Sequence, residues 1–126
     1  MISTDVFEFN PEEQSLAYVK MGQSVKVFCS ITGKMRHCHF QGPQGDTYTM
    51  YEEGEQYENS RIENYLLTDR QCGMQIHSLE EKDRGKWECL IYYKDTETGQ
   101  SANRKEQFEL DISGYKQLCS AKEYIY

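Results

Sequence analysis

Along much of this chain apolar and polar residues alternate over short stretches, a period of two that predicts β-strands rather than helices. From Ser24 to Ile31 the alternation is clean, with Val25, Val27, Cys29 and Ile31 on one face. Lys86 to Tyr93 places Trp87, Cys89 and Ile91 together, and Arg104 to Ile112 does the same for Phe108, Leu110 and Ile112. Gly73 to Leu79 puts Met74 and Ile76 on one side. Weaker signals predict an edge strand over Ser15 to Lys20, a short strand over His37 to Gln41, and further strands over Thr47 to Tyr51 and Arg61 to Thr68. Turn residues punctuate them: Gly22, Gly42-Pro43, Gly45, the polar run Glu80 to Gly85, and the hairpin loop Asp95 to Gly99. Glu52 to Ser60 is acidic and reads as a loop or a poorly formed edge. Roughly seven to nine short strands with frequent turns predict an all-β sandwich. The expected core is Val25, Val27, Phe40, Met74, Ile76, Leu79, Trp87, Ile91, Phe108 and Leu110.

At 126 residues the chain suits one domain, expected over residues 1–112, with residues 113–126 as a C-terminal tail or linker to a following segment. Hydrophobic residues are 37% of the chain and mean hydropathy is −0.84, so the core must be thin. A sandwich tolerates this because only alternate residues face inward. The formal net charge of −7 argues against nucleic acid, which needs a basic footprint, and against anionic membrane surfaces. No apolar run of about 18 residues is present, so this segment does not insert into a membrane. Any export signal or anchor is expected outside it.

The most informative stretch is Leu79-x-x-x-Asp83-x-Gly85-x-Trp87-x-Cys89. A strand ends, a tight corner turns, and the next strand enters the core carrying a cysteine. Gly85 suits a position that a Cβ would crowd, and Asp83 is placed to hydrogen-bond the corner backbone. This stretch resembles the E–F corner of immunoglobulin domains, over roughly residues 15 to 112. The resemblance implies a Greek-key sandwich of variable or intermediate type. It also matches Cys29 to the strand B cysteine and Cys89 to the strand F cysteine, 60 residues apart. Two features depart from the pattern. Trp87 stands where a tyrosine is usual, and its indole offers a donor but no acceptor. The strand C tryptophan is missing, and Phe40 is the candidate to pack on the disulfide instead.

The other cysteines extend this reading. Cys38 shares the parity of Phe40, and Cys72 that of Met74 and Ile76, so both are expected to face inward on strands C and E. A second bridge, Cys38–Cys72, is therefore predicted, with other connectivities left open. Each bridge would stabilise by roughly 4 kcal/mol in the chain-entropy model. Cys119 is left over for another domain, a second chain or a free thiol. Four cysteines at wide spacings suggest an oxidising, extracellular compartment. No N-x-S/T sequon supports that placement.

The run Cys29…Cys38-His39-Phe40…Gly42-Pro43…Asp69-Arg70-Gln71-Cys72-Gly73-Met74-Gln75-Ile76 is similar to domains of the insect adhesion molecule fasciclin III. That resemblance implies a membrane-anchored surface protein mediating homophilic cell–cell contact. The alternative is a heterophilic receptor or a secreted recognition module in signalling or immunity.

Immunoglobulin domains often bind through the outer face of strands G, F, C and C′. Here that face is expected to carry Glu88, Leu90 and Tyr92, with His39 and Gln41, Gln107 and Glu109, and Tyr48 and Met50. Leu90, Tyr92, Tyr48 and Met50 would form an apolar patch ringed by polar groups, the anatomy of an interface centre. The partner is expected to be a protein, in the first place a second copy. The acidic series Asp46, Glu52, Glu53, Glu55 and Glu58 would steer a basic partner, or be simply solvated.

No enzyme and no cofactor are expected. His37-Cys38-His39 invites a metal, but on a strand the two histidines share the face opposite Cys38 and cannot converge with it. A Cys38 nucleophile would need a free thiolate, which the predicted bridge removes.

Overall fold

The computed structural model describes residues 6–57, 61–65, 68 and 70–113. Ten strands follow one another: β1 (Val6–Phe9), β2 (Leu16–Lys20), β3 (Ser24–Ser30), β4 (Gly33–Gln41), β5 (Thr47–Glu52), β6 (Glu55–Gln56), β7 (Ile62–Asn64), β8 (Gln71–Ile76), β9 (Gly85–Asp95) and β10 (Ser101–Ser113). One turn of 3-10 helix, Glu81–Asp83, lies between β8 and β9. The strands form a four-stranded sheet in the order β1-β3-β8-β7 and a six-stranded sheet in the order β2-β10-β9-β4-β5-β6.

The period of two does what burial requires. Val25, Val27, Phe40, Met74, Ile76, Leu79, Trp87, Ile91, Phe108 and Leu110 are all buried between the sheets, joined by Phe9, Ala17, Val19, Ile31, Met35, Met50, Ile62 and Ile112. Trp87 stacks between Phe108 and Tyr48, with ring centroids at 6.2 and 6.0 Å. Phe40 and Phe9 meet Phe108 edge-on at 6.3 and 5.5 Å. The large aromatic mass of the core thus comes from β9 and β10, with Phe40 beside it.

The corner before β9 is fixed by polar contacts. Asp83 accepts the backbone N–H of Glu80 at 2.8 Å and both guanidinium nitrogens of Arg61 at 2.7 and 2.8 Å. The indole N–H of Trp87 donates to the Asp83 carbonyl at 2.9 Å. Gly85 follows at φ +128°, where a Cβ would also stand 3.1 Å from Pro43. A side chain there would combine backbone strain with a close contact.

Three elements differ from the sequence expectation. β1 pairs parallel with β3, and the chain then reverses at Asn10 to Gln14 to become β2 of the other sheet, parallel to β10. Its four residues are too few to show a period. β4 begins at Gly33 rather than His37 because a bulge inserts Arg36 opposite β9, so Met35 and Cys38 both face inward three residues apart. β10 continues through Ser113, one residue past the expected domain edge; residues 114–126, with Cys119, lie outside the described residues.

Candidate recognition face

The six-stranded sheet turns one face to the core and the other outward. Its central strands pair in register, which builds the outer face row by row. Tyr92 of β9 lies between Asn103 of β10 and His37 of β4, and His37 lies beside Glu52 of β5. Leu90 lies between Lys105 and His39, and His39 beside Thr49. Glu88 lies between Gln107 and Gln41, and Gln41 beside Thr47. Glu109 pairs with Lys86 and with Leu16 of the edge strand β2, so it belongs to the rim.

Tyr48 and Met50 are corrected. Tyr48 lies opposite Phe40, an inward residue, and is half-buried against Trp87. Met50 is the extra residue of a bulge in β5 and is fully buried. Thr47 to Met50 alternate in the register opposite to the one expected, so Thr47 and Thr49 take the outward places beside Gln41 and His39, and the bulge then sets Tyr51 inward next to Met50. The apolar centre therefore shrinks to half-buried Leu90 and to Tyr92, which is 46% exposed.

Two histidines of β4 lie in the rows of Tyr92 and Leu90. Nε2 of His37 lies 2.8 Å from Nδ1 of His39, and the two rings cross at 5.1 Å. His37 also meets the Tyr92 ring at 5.7 Å and has its Nδ1 3.6 Å from Glu52. Burial lowers the His39 pKa, the His37 ring lowers it further, and Glu88 opposes both. Glu88 is itself held by Gln107 at 3.2 Å and lies 4.0 Å from the Lys105 ammonium. Sequence reasoning placed His39 here and treated His37 only as a metal candidate. Their shared parity was the signal for the pair.

At one end of this face Lys34, Met35, Arg36, Tyr51, Glu53, Gly54 and Lys94 line an open groove of about 440 Å³. Of the acidic series, Glu53 pairs with Arg36 at 3.2 Å, Glu52 meets His37, and Asp46 accepts the Tyr48 hydroxyl at 3.4 Å. Glu58 lies outside the described residues. A second exposed aromatic, Tyr18 on β2, is 72% exposed at the far edge of the sheet.

The four described cysteines gather in one buried cluster. Cys38 of β4 and Cys72 of β8 are joined across the sandwich. Cys29 lies directly opposite Cys72 on β3, and Cys89 opposite Phe40 on β9. Cys29 and Cys89 stand as two buried free thiols. The predicted Cys38–Cys72 bridge is formed, and the expected Cys29–Cys89 partners stand next to each other as a near pair; burial, then the hydrogen bond to Cys29, hold the Cys89 thiol well above its ordinary pKa. Among the described residues no group of three or more His, Cys, Asp or Glu is placed to hold a metal ion.

No family model and no curated protein matches the chain. Solved structures do match. Murine CRIg superposes with a TM-score of 0.61 at 16% identity, covering 79% of this chain and 92% of that one. The Ig1 domain of mouse SynCAM 2 gives 0.55 at 15%, over 78% and 90%. The IG1 domain of ZIG-8 gives 0.56 at 12%, over 80% of each chain. The fold is the immunoglobulin fold. In immunoglobulin terms β4, β9 and β10 are strands C, F and G, and β5 and β6 are C′ and C″ on the same sheet, the variable-type arrangement. The outer face described above is then the G–F–C–C′ face of an immunoglobulin domain.

Proposed function

We propose that this chain is a cell-surface, extracellular recognition domain that binds protein through its G–F–C–C′ face, in the first place a second copy of itself in cell–cell adhesion. The carrying observation is Tyr92, 46% exposed beside half-buried Leu90 on the middle strand of the broad sheet. An aromatic anchor set among polar groups that are already paired is what an interface centre requires. The Cys38–Cys72 bridge supports an oxidising, extracellular setting. The similar ZIG-8 IG1 domain is a homodimer, which supports homophilic contact. No helix among the described residues is long and apolar enough to cross a membrane.

A heterophilic reading has its own support. Two copies at a net charge of −7 repel each other, which favours a basic partner. The ZIG-8 IG1 domain also forms a heterodimer with that of RIG-5. Sedimentation over a wide concentration range separates the two. Self-association weakened roughly 30-fold or more by Tyr92→Ala or Leu90→Arg is expected for the homophilic domain. A strictly monomeric protein whose coated beads fail to aggregate sinks that reading. A heterologous partner lost in the same two variants would then establish the other.

A further inference from the structure

The two histidines at the centre of the face hold each other through facing ring nitrogens, 2.8 Å apart. That contact needs a hydrogen on one nitrogen and a lone pair on the other. It persists with both rings neutral or with one ring charged. It fails when both are charged, because two N–H groups would then point at each other. The pair sits in the cross-strand rows of Leu90 and Tyr92, where a docked partner would cover it.

The surrounding charges are largely occupied. Glu88 on β9 is shared with Gln107 and Lys105 on β10. Arg36, on the same strand as the histidines, is paired with Glu53. Glu52 on β5 lies near the outer nitrogen of His37, with Glu55 of β6 as its strand neighbour. A second charge on the dyad would have no carboxylate of its own beside His39 other than the engaged Glu88.

We propose that the His37–His39 pair makes docking through this face sensitive to acid: the partner binds while the pair shares a hydrogen, and taking up the proton that parts the rings releases it. The inference rests on the self-association reading above and assigns a regulation to that same site. Docking buries the pair further, and a buried charge without a dedicated partner opposes burial. In an isologous dimer each copy contributes its own pair, so two protons are linked to dissociation. His39 is already biased toward its neutral form by burial and by His37.

The experiment compares the self-association constant of the protein near about pH 7.5 and about pH 5, on either side of the ordinary histidine value. The wild type is expected to dissociate at least about tenfold more readily at the lower pH. In the His37→Gln/His39→Gln variant the ratio between the two conditions is expected near one, whatever its affinity. An unchanged wild-type ratio, or an equally large one in the double variant, overturns the inference while leaving self-association intact. Absence of association by the wild type at either pH overturns the self-association reading and this inference with it. If the double variant does not associate at all, NMR titration of the imidazoles in the Leu90→Arg variant decides. A His37 titration that shifts between Leu90→Arg and Leu90→Arg/His39→Gln supports the coupled pair, and a His37 titration unaltered by the loss of His39 overturns it.

Discussion

Arg61 grips Asp83 with both arms of its guanidinium, at 2.7 and 2.8 Å, and the carboxylate it holds is almost wholly buried. The same aspartate caps the Glu80 N–H and lends its carbonyl to Trp87, so one residue ties the start of β7 to the corner and to the core tryptophan. Replacing Arg61 by methionine keeps the apolar stem and removes the charge. The buried carboxylate then loses its counterion, a change that costs about 3 kcal/mol. Urea unfolding measures it directly. A loss below about 0.5 kcal/mol, the range of an ordinary surface substitution, would show that the pair is incidental.

Gly73 holds a position that no other residue fits. A Cβ there would stand 2.0 Å from the carbonyl oxygen of Tyr65, whose own N–H donates to the Gly73 carbonyl at 2.9 Å. Two backbones approach where a side chain would stand. Gly73→Ala is expected to push Tyr65 and the end of β7 away from β8, at a cost of about 1–3 kcal/mol, as overpacking does. The denaturant midpoint should fall, and hydrogen exchange at the Tyr65 amide should quicken. An unchanged exchange rate would contradict the crowding.

The sandwich itself was legible wherever the alternation was unbroken. The inward faces of β3, β8, β9 and β10 follow from parity alone, and so does the meeting of Cys38 with Cys72. Parity failed at the two bulges. Arg36 hid the first half of β4, and in β5 the inserted Met50 sets two successive residues, Met50 and Tyr51, inward, so no single parity fixes that strand and Tyr48 falls inward opposite Phe40. A bulge adds a residue without leaving a recognisable signature when neither glycine nor proline marks it. The Arg61–Asp83 pair was half legible: the corner pointed to Asp83, but nothing in a linear pattern names a partner 22 positions away.

Cys29 and Cys89 are expected to be chemically silent in the folded protein. Both are buried, and burial with the neighbouring sulfur raises the Cys89 pKa, while the reactive species is the thiolate. In a Cys119→Ser variant, a disulfide-exchange reagent should find no thiol under native conditions and two after denaturation without reductant. Fast native labelling would refute the buried pair. No thiol in the denatured chain would mean that the two sulfurs are joined. Replacing Cys38 and Cys72 by alanine opens a loop of sequence separation 34 and should cost about 4 kcal/mol in the chain-entropy model.

The stability of the single domain should also report on His39. The fold lowers its pKa, chiefly through burial and then through His37, with Glu88 opposing. The unfolded chain takes up this proton near the ordinary value of about 6.5, and the folded chain only at lower pH. Between the two the unfolded state binds more protons, so stability rises with pH across that window. It follows that acidification below about 6.5 progressively removes a stabilising contribution, whereas raising the pH above it changes nothing through this group. His39→Gln should flatten the slope there. Denaturant unfolding of the monomeric Leu90→Arg protein, with and without His39→Gln, across this range is the measurement. A slope of the same size in both proteins would mean that another group carries it, and that His39 takes its proton in the fold as readily as in the open chain.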